Sequence, residues 1–122
     1  MTETAWPADW LRGVLGVCVL QVLAEGETYG YAISARLAES GFGAVKGGTL
    51  YPLLTRFEDA GLVDVQWRAG EGGPGRKYYR LTDAGRQAWL AQTRDWRTFA
   101  ELTMAFVGTP EGEPAADHRR NS

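Results

Sequence analysis

The sequence predicts a mostly helical α+β fold: three helices, a two-stranded ribbon and one long closing helix. Three observations carry this. Leu50, Leu53, Leu54, Phe57 and Ala60 recur at helical spacing and stop at Gly61. Val63, Val65 and Trp67 then alternate with Asp64, Gln66 and Arg68, the pattern of a half-buried strand. Thr82-Asp83 opens a last helix that runs to about Val107, where Gly108-Thr109-Pro110 ends it.

Composition bounds what such a chain does. Its 122 residues suffice for one domain with a single core. The longest apolar run, Val14 to Leu20, is broken by Gln21 and falls short of a membrane span. No basic leader precedes it, so the expectation is a cytoplasmic protein with no signal peptide and no membrane partner. One cysteine permits no internal disulfide, which suits a reducing compartment. One cysteine and one histidine leave little for a transition-metal site, so no metal and no cofactor are expected. Enzymatic chemistry is not expected either: no nucleophile–base pair, carboxylate pair or phosphate loop is visible, and 70–75 lacks the Lys-Ser/Thr of such a loop.

Charge is informative once divided. The chain is net −2, but residues 29–80 hold seven Lys/Arg against five Asp/Glu, a local net of +2. A basic middle within an acidic chain suits local phosphate contact, although many non-binding domains show as much.

Each element has its own signals. Trp6-Pro7-Ala8-Asp9 starts a first helix, with proline suited to a helix start. Leu11, Val14, Leu15, Cys18, Val19, Val22 and Leu23 fill a wide apolar face that Val17 and Leu20 widen further, so the helix is expected to be buried nearly all round, partly by a second copy of the chain. Gly26 stops it. Thr28 is expected to cap a second helix over about 29–39, with Tyr31, Ile33, Ala35, Leu37 and Ala38 as its apolar residues. Ser40-Gly41-Phe42-Gly43 is a turn, and Lys46-Gly47-Gly48 leads into the third helix, with Pro52 expected in its first turn. Residues 62–68 form one strand and 76–81 its return. Four glycines and one proline among residues 69–75 predict a long loop between them, with Arg76 and Lys77 at its base.

Helix, helix, helix, strand, strand, long helix is the order of a winged helix-turn-helix with a long C-terminal dimerisation helix. Residues 1–81 are read as the DNA-binding domain, 82–108 as the dimerisation helix and 109–122 as a disordered tail. Here the resemblance becomes specific. Tyr29-Gly30-Tyr31, Gly48-Thr49-Leu50-Tyr51-Pro52-Leu53-Leu54, Gly61-Leu62-Val63 and Gly75-Arg76-Lys77-Tyr78-Tyr79-Arg80-Leu81-Thr82-Asp83-Ala84-Gly85 resemble the PadR family of bacterial transcriptional regulators over roughly residues 9–107. The single closing helix looks like the short subfamily. The resemblance implies a homodimeric winged-helix repressor. Two departures stand out: Lys46 occupies a position where the family usually has a small polar residue, and the wing tip is glycine-rich with an acidic Glu71.

The candidate residues follow from position and chemistry. Thr49, Tyr51, Thr55 and Arg56 lie on the outer side of the third helix, whose N-terminal part meets base edges in a helix-turn-helix. Their hydroxyls suit phosphate or bases, and arginine takes guanine two-pronged. The Tyr51 ring has a second reading, packing against helix two. Tyr29 and Ser34, early in helix two, are placed to meet phosphate, whereas Tyr31 is read as core. Lys46, at the start of the third helix, joins the DNA-contact set, and Arg76 suits phosphate or minor-groove contact. Lys77 is balanced between DNA contact and a solvated strand start. Trp89, Trp96, Phe99, Thr103 and Phe106 form a stripe on the last helix. With Leu11, Val14 and Cys18 of helix one, most of it is read as a dimer seam. Cys18, with no base near it in sequence, is read as an inert thiol rather than a redox sensor. Two helices crossing near Trp96 would face their indoles across a twofold axis, a slot for a planar aromatic or hydrophobic molecule walled by Ala100 and Leu15. The functional expectation is a repressor that binds a pseudo-palindromic duplex and is released by such an effector. The alternative is a winged helix that binds protein and not DNA.

Overall fold

The computed structural model describes residues 6–70 and 73–110. The expectations for the 111–122 tail and for Glu71 lie outside the described residues. The elements are α1 (Ala8–Ala24), β1 (Thr28–Tyr29), α2 (Gly30–Leu37), α3 (Gly47–Asp59), β2 (Val63–Gly70), β3 (Gly73–Leu81) and α4 (Asp83–Val107).

The core lies between the helices and one face of the sheet. Leu15, Val19, Leu20, Val22 and Leu23 of α1 meet Ile33 and Leu37 of α2, Leu50, Leu53, Leu54 and Phe57 of α3, and Val63, Tyr79 and Leu81 of the sheet. The i, i+3, i+4, i+7 spacing of the α3 set makes that helix one-sided. It stops where Gly61 takes φ 77°, a left-handed conformation that favours glycine. α4 starts as expected: the Thr82 hydroxyl oxygen accepts from the Gly85 amide at 3.0 Å. α1 begins just after Pro7, which stands at its N-cap, and the Trp6 indole N–H donates to Gly41 O at 2.8 Å, holding the start of α1 against the turn after α2.

Four local expectations are corrected. Thr28 does not cap a helix. With Tyr29 it forms a short strand paired to Tyr79 and Tyr78, so the sheet has three antiparallel strands in the order β1-β3-β2. Two β-favouring residues are too few to show a period, and only the partner strand selects the extended form. Second, α2 passes into a wider π turn over Ala38–Phe42, within which Gly41 has φ 104°. Third, Pro52 is the sixth residue of α3. It therefore stands in the second turn, where the missing N–H leaves the Gly48 carbonyl without its helical donor. Fourth, the expected long loop is mostly strand. Arg68 pairs with Arg76 and Gly70 with Gly73, with a register shift between. Pro74 sits in that irregularity, where a missing ladder donor is tolerated.

Candidate nucleic-acid interface

Helical geometry decides which residues of α3 share a side. Leu50, Leu53, Leu54 and Phe57 are buried. At 100° per residue the opposite pole carries Gly48, Pro52, Thr55 and Asp59. Tyr51 and Glu58 flank it on the wing side; Thr49 and Arg56 flank it on the α1 and α4 side. All four expected α3 contacts are exposed, but they divide between two grooves.

The first groove, about 530 Å³, lies between the starts of α2 and α3 and the base of the wing. Tyr29, Gly30, Tyr31, Tyr51, Thr55, Trp67, Gly75, Arg76, Lys77 and Tyr79 line it. Five expected DNA residues therefore meet here: Tyr29, Tyr51, Thr55, Arg76 and Lys77. Gly30 makes the closeness possible, since a Cβ there would stand 2.6 Å from Cε1 and Cζ of Tyr51. The Tyr51 ring thus packs on the start of α2, the second of its two readings, while staying 47% exposed.

Strand geometry separates the basic pair. Neighbouring strand residues point to opposite faces. Lys77, level with Trp67, shares a face with Tyr79, Val65 and Val63. Its Nζ lies 3.5 Å from Glu58 and 5.7 Å from the Tyr79 ring centroid. Arg76 projects on the other face, 4.5 Å above the Tyr29 ring. Tyr29 packs on Tyr78 at 5.4 Å, and Arg68 covers Tyr78 at 4.5 Å. Arg68 and Arg76 are like charges directly opposed across the ladder, an unfavourable pairing. Stacking on the tyrosines, and the 2.8 Å contact of Arg68 with Glu27, offset it.

Three residues are not where the sequence suggests. Tyr31, read as core, is 74% exposed at the groove. Ser34 is half-buried and its hydroxyl donates to Val45 O at 2.9 Å. Its proton is engaged in holding the segment before α3, so positioning replaces the expected donation to phosphate. Trp67, read as the inner face of a strand, is 69% exposed in the groove. Alternation gives the side of the sheet but not how far the helical layer extends over it. Lys46 is the exposed N-cap of α3. Among the described residues, Lys46, Arg56 and Arg76 have no carboxylate within ion-pair distance.

The second groove, about 590 Å³, runs between α1, α3 and α4. Thr49 and Arg56 line it together with Leu15 and Trp96, two of the expected effector residues. Trp96 also borders a third cavity, of about 400 Å³, with Cys18, Arg36, Phe42 and Arg97. Ala100 is half-buried one turn further along α4 and lines neither cavity. Burial pushes the Cys18 thiol above its ordinary range, which agrees with an inert role.

The expected seam residues also divide. Leu11, Val14 and Cys18 are half-buried. Trp89 packs on the core of its own chain and its indole N–H donates to Gln21 Oε1 at 2.9 Å. Beyond it the α4 stripe is bare: Phe99 and Phe106 are exposed, and the Thr103 hydroxyl donates back to Phe99 O.

Comparison with known proteins agrees with this architecture. The profile of the transcriptional regulator PadR-like family matches residues 19–91. The transcriptional regulator Rv3488 of Mycobacterium tuberculosis is 34% identical over 100 residues, 82% of this chain and 89% of that protein. A PadR family transcriptional regulator from Eggerthella lenta superposes with a TM-score of 0.74 at 35% identity, over 84% of this chain and 88% of that one. A PadR-like transcriptional regulator from Bacillus cereus gives 0.73 at 32% identity, over 84% of this chain and all of that one. The chain therefore belongs to the PadR-like family of transcriptional regulators.

Proposed function

We propose that this chain is a homodimeric repressor that binds a pseudo-palindromic operator and is released by an aromatic or hydrophobic small molecule. Family membership gives the coarse function, regulation of transcription through DNA. The observation that carries the site is the groove between α3 and the wing, where Tyr29, Tyr51, Thr55, Arg76 and Lys77 converge. In this reading α3 enters the major groove with its pole Gly48-Pro52-Thr55, Thr49 and Arg56 reach bases or phosphate on one flank, Lys46 meets phosphate at the helix start, and a DNA backbone passes between α3 and the wing.

Dimerisation is supported by the exposed apolar stripe of α4, which holds Phe99 and Phe106, and by the half-buried Leu11, Val14 and Cys18 of α1. A contiguous apolar surface of this kind on so small a domain points to association. Effector release is supported by a shared wall. Trp96 and Leu15 border the same groove as Thr49 and Arg56, so a molecule seated on Trp96 bears on the recognition helix. A coupling of about 1–3 kcal/mol is typical of such linkage.

The test is fluorescence anisotropy of the full chain against the duplex upstream of its own coding sequence and a shuffled control, at several salt concentrations, with sedimentation equilibrium alongside. Selective binding with a steep salt slope and a dimer mass is expected. Absence of binding to any duplex at low salt refutes the operator reading, and a monomer at all concentrations refutes the dimer. Arg56→Ala should weaken specific binding by about 1–3 kcal/mol; unchanged affinity removes Arg56 from the site.

A further inference from the structure

The apolar face of β2 continues past the layer that covers it. Val63 is buried and Val65 half-buried, but Trp67, next in the alternation, stands 69% exposed. Its ring lies over β3 where the strand is bare: a Cβ on Gly75 would stand 3.7 Å from Trp67 Cε3. A large ring that lies over glycine and stands mostly exposed presents an apolar plate that a flat apolar partner can cover.

Its neighbours indicate what covers it. Trp67 shares the groove with Tyr31, Tyr51 and Thr55, and its walls hold the cations Arg76 and Lys77, with the Glu58 carboxylate beside Lys77. Lys77 is level with Trp67 across the ladder. Its partner Glu58 lies 3.5 Å away in a pair that is roughly one-third exposed on each side. Such pairs contribute little, so exchanging the carboxylate for a phosphate costs little. An apolar plate, hydroxyls and one exchangeable cation in a single groove suit the sugars and phosphates of a nucleic-acid backbone.

We infer that Trp67 is a DNA-contacting residue, its indole packed against the deoxyribose of the operator strand that runs between α3 and the wing, beside a phosphate neutralised by Lys77. The inference rests on the operator reading above and adds to it an apolar contact at a position outside the expected set. An apolar contact releases no counterion. Removing it must therefore lower affinity at every salt concentration alike, whereas removing a phosphate contact flattens the salt dependence.

The experiment uses the full chain and a duplex enriched by the wild-type protein from a random-sequence library. Affinity is measured against salt for wild type, Trp67→Ala, Trp67→Phe and Lys77→Ala, with circular dichroism and thermal melting confirming the fold of each. The expected result is a loss of about tenfold for Trp67→Ala with an unchanged salt slope, a smaller loss for Trp67→Phe, and a slope reduced by about one for Lys77→Ala. Trp67→Phe should also remove part of the tryptophan quenching that accompanies duplex addition. Equal affinity of wild type and Trp67→Ala overturns the inference, as does a slope that falls with Trp67→Ala as it does with Lys77→Ala. Failure of the wild-type chain to enrich any duplex overturns the operator reading itself. Retained DNA affinity with a changed sedimentation mass in Trp67→Ala assigns the ring to an interface between copies and overturns the inference.

Discussion

Replacing Gly85 by alanine tests whether packing or propensity governs the junction of wing and closing helix. Propensity alone predicts stabilisation of about 1 kcal/mol, because glycine is a poor residue inside a helix. Packing predicts the reverse. Gly85 is buried in the first turn of α4. A Cβ there would lie 3.0 Å from Leu62 C and Leu81 Cδ2, and far inside van der Waals distance of the Leu62 carbonyl oxygen. Restoring ordinary contact moves the first turn of α4 on the order of 1 Å from Leu62. That motion strains two bonds: Thr82 N–H to Leu62 O at 3.0 Å and the Thr82 hydroxyl to Gly61 O at 2.7 Å. Overpacking costs about 1–3 kcal/mol and each weakened bond up to about 1 kcal/mol. After the propensity gain, a net loss of about 1–3 kcal/mol remains. Urea unfolding at fixed protein concentration should show a midpoint lowered by about 0.5–1.5 M, for a slope near 2 kcal/mol/M. Gly13→Ala is the control: a Cβ at Gly13 meets nothing within 4 Å, and this substitution should raise the midpoint. A midpoint for Gly85→Ala equal to or above that of wild type would refute the packing argument.

Other outcomes follow from individual contacts. Ser34→Ala removes the bond to Val45 O and should cost about 1 kcal/mol of stability while leaving the duplex affinity of the folded protein unchanged; a loss of affinity at every salt concentration in a folded variant would restore Ser34 to the phosphate contacts. Glu25 accepts two bonds from the Arg36 guanidinium, Nε at 3.0 Å and Nη2 at 3.1 Å, which holds its carboxyl below the ordinary range. A depressed carboxylate contributes stability above its unfolded pKa and loses it as pH falls through the folded value. The stability gap between wild type and Glu25→Gln should therefore be present at neutral pH, shrink as pH drops below about 4, and narrow in high salt because the pair is exposed; a gap that persists in acid would contradict the pairing. Substituting Phe106 by serine removes the most exposed ring of α4 and should shift sedimentation toward monomer with little change in the melting of the head; an unaltered dimer would place the seam elsewhere.

Much of this fold was legible because its period and punctuation agree. α3 combines a clean 3.6-residue stripe with a terminal glycine, and α4 opens on Thr-Asp and closes at Gly108, which takes φ 76°. β1 was not legible, since two residues carry no period and their extended form is imposed by β3. The wing was read too short because Gly73-Pro74-Gly75 looks like loop, yet a bulge accommodates the proline and the hairpin continues. Exposure was the least legible property. Tyr31 and Trp67 are apolar residues in apolar positions, and only the reach of the neighbouring helix decides that both face solvent. The same limit applies to the site. Residues of one helix can all be exposed and still serve two grooves, as Thr49 and Arg56 part from Tyr51 and Thr55.

The basic pair Arg76-Lys77 turns that lesson into a prediction. In a sequence, adjacent cations look like one patch. On β3 they face apart although both border the groove, Arg76 stacked on Tyr29 and Lys77 beside Trp67 and Glu58. The guanidinium on Tyr29 stabilises the outer face of the wing, where an aromatic contact with a cation is worth about 0.5–1 kcal/mol at an exposed site. The ammonium on the inner face has only a weak carboxylate partner to give up. Arg76→Ala should thus lower the melting temperature and loosen protection of the β1–β3 amides, as read by hydrogen exchange. Lys77→Ala should leave both nearly unchanged and flatten the salt dependence of duplex binding by about one phosphate. Identical behaviour of the two variants in both assays would mean that the wing presents its cations as a single surface, and that strand alternation does not organise this site.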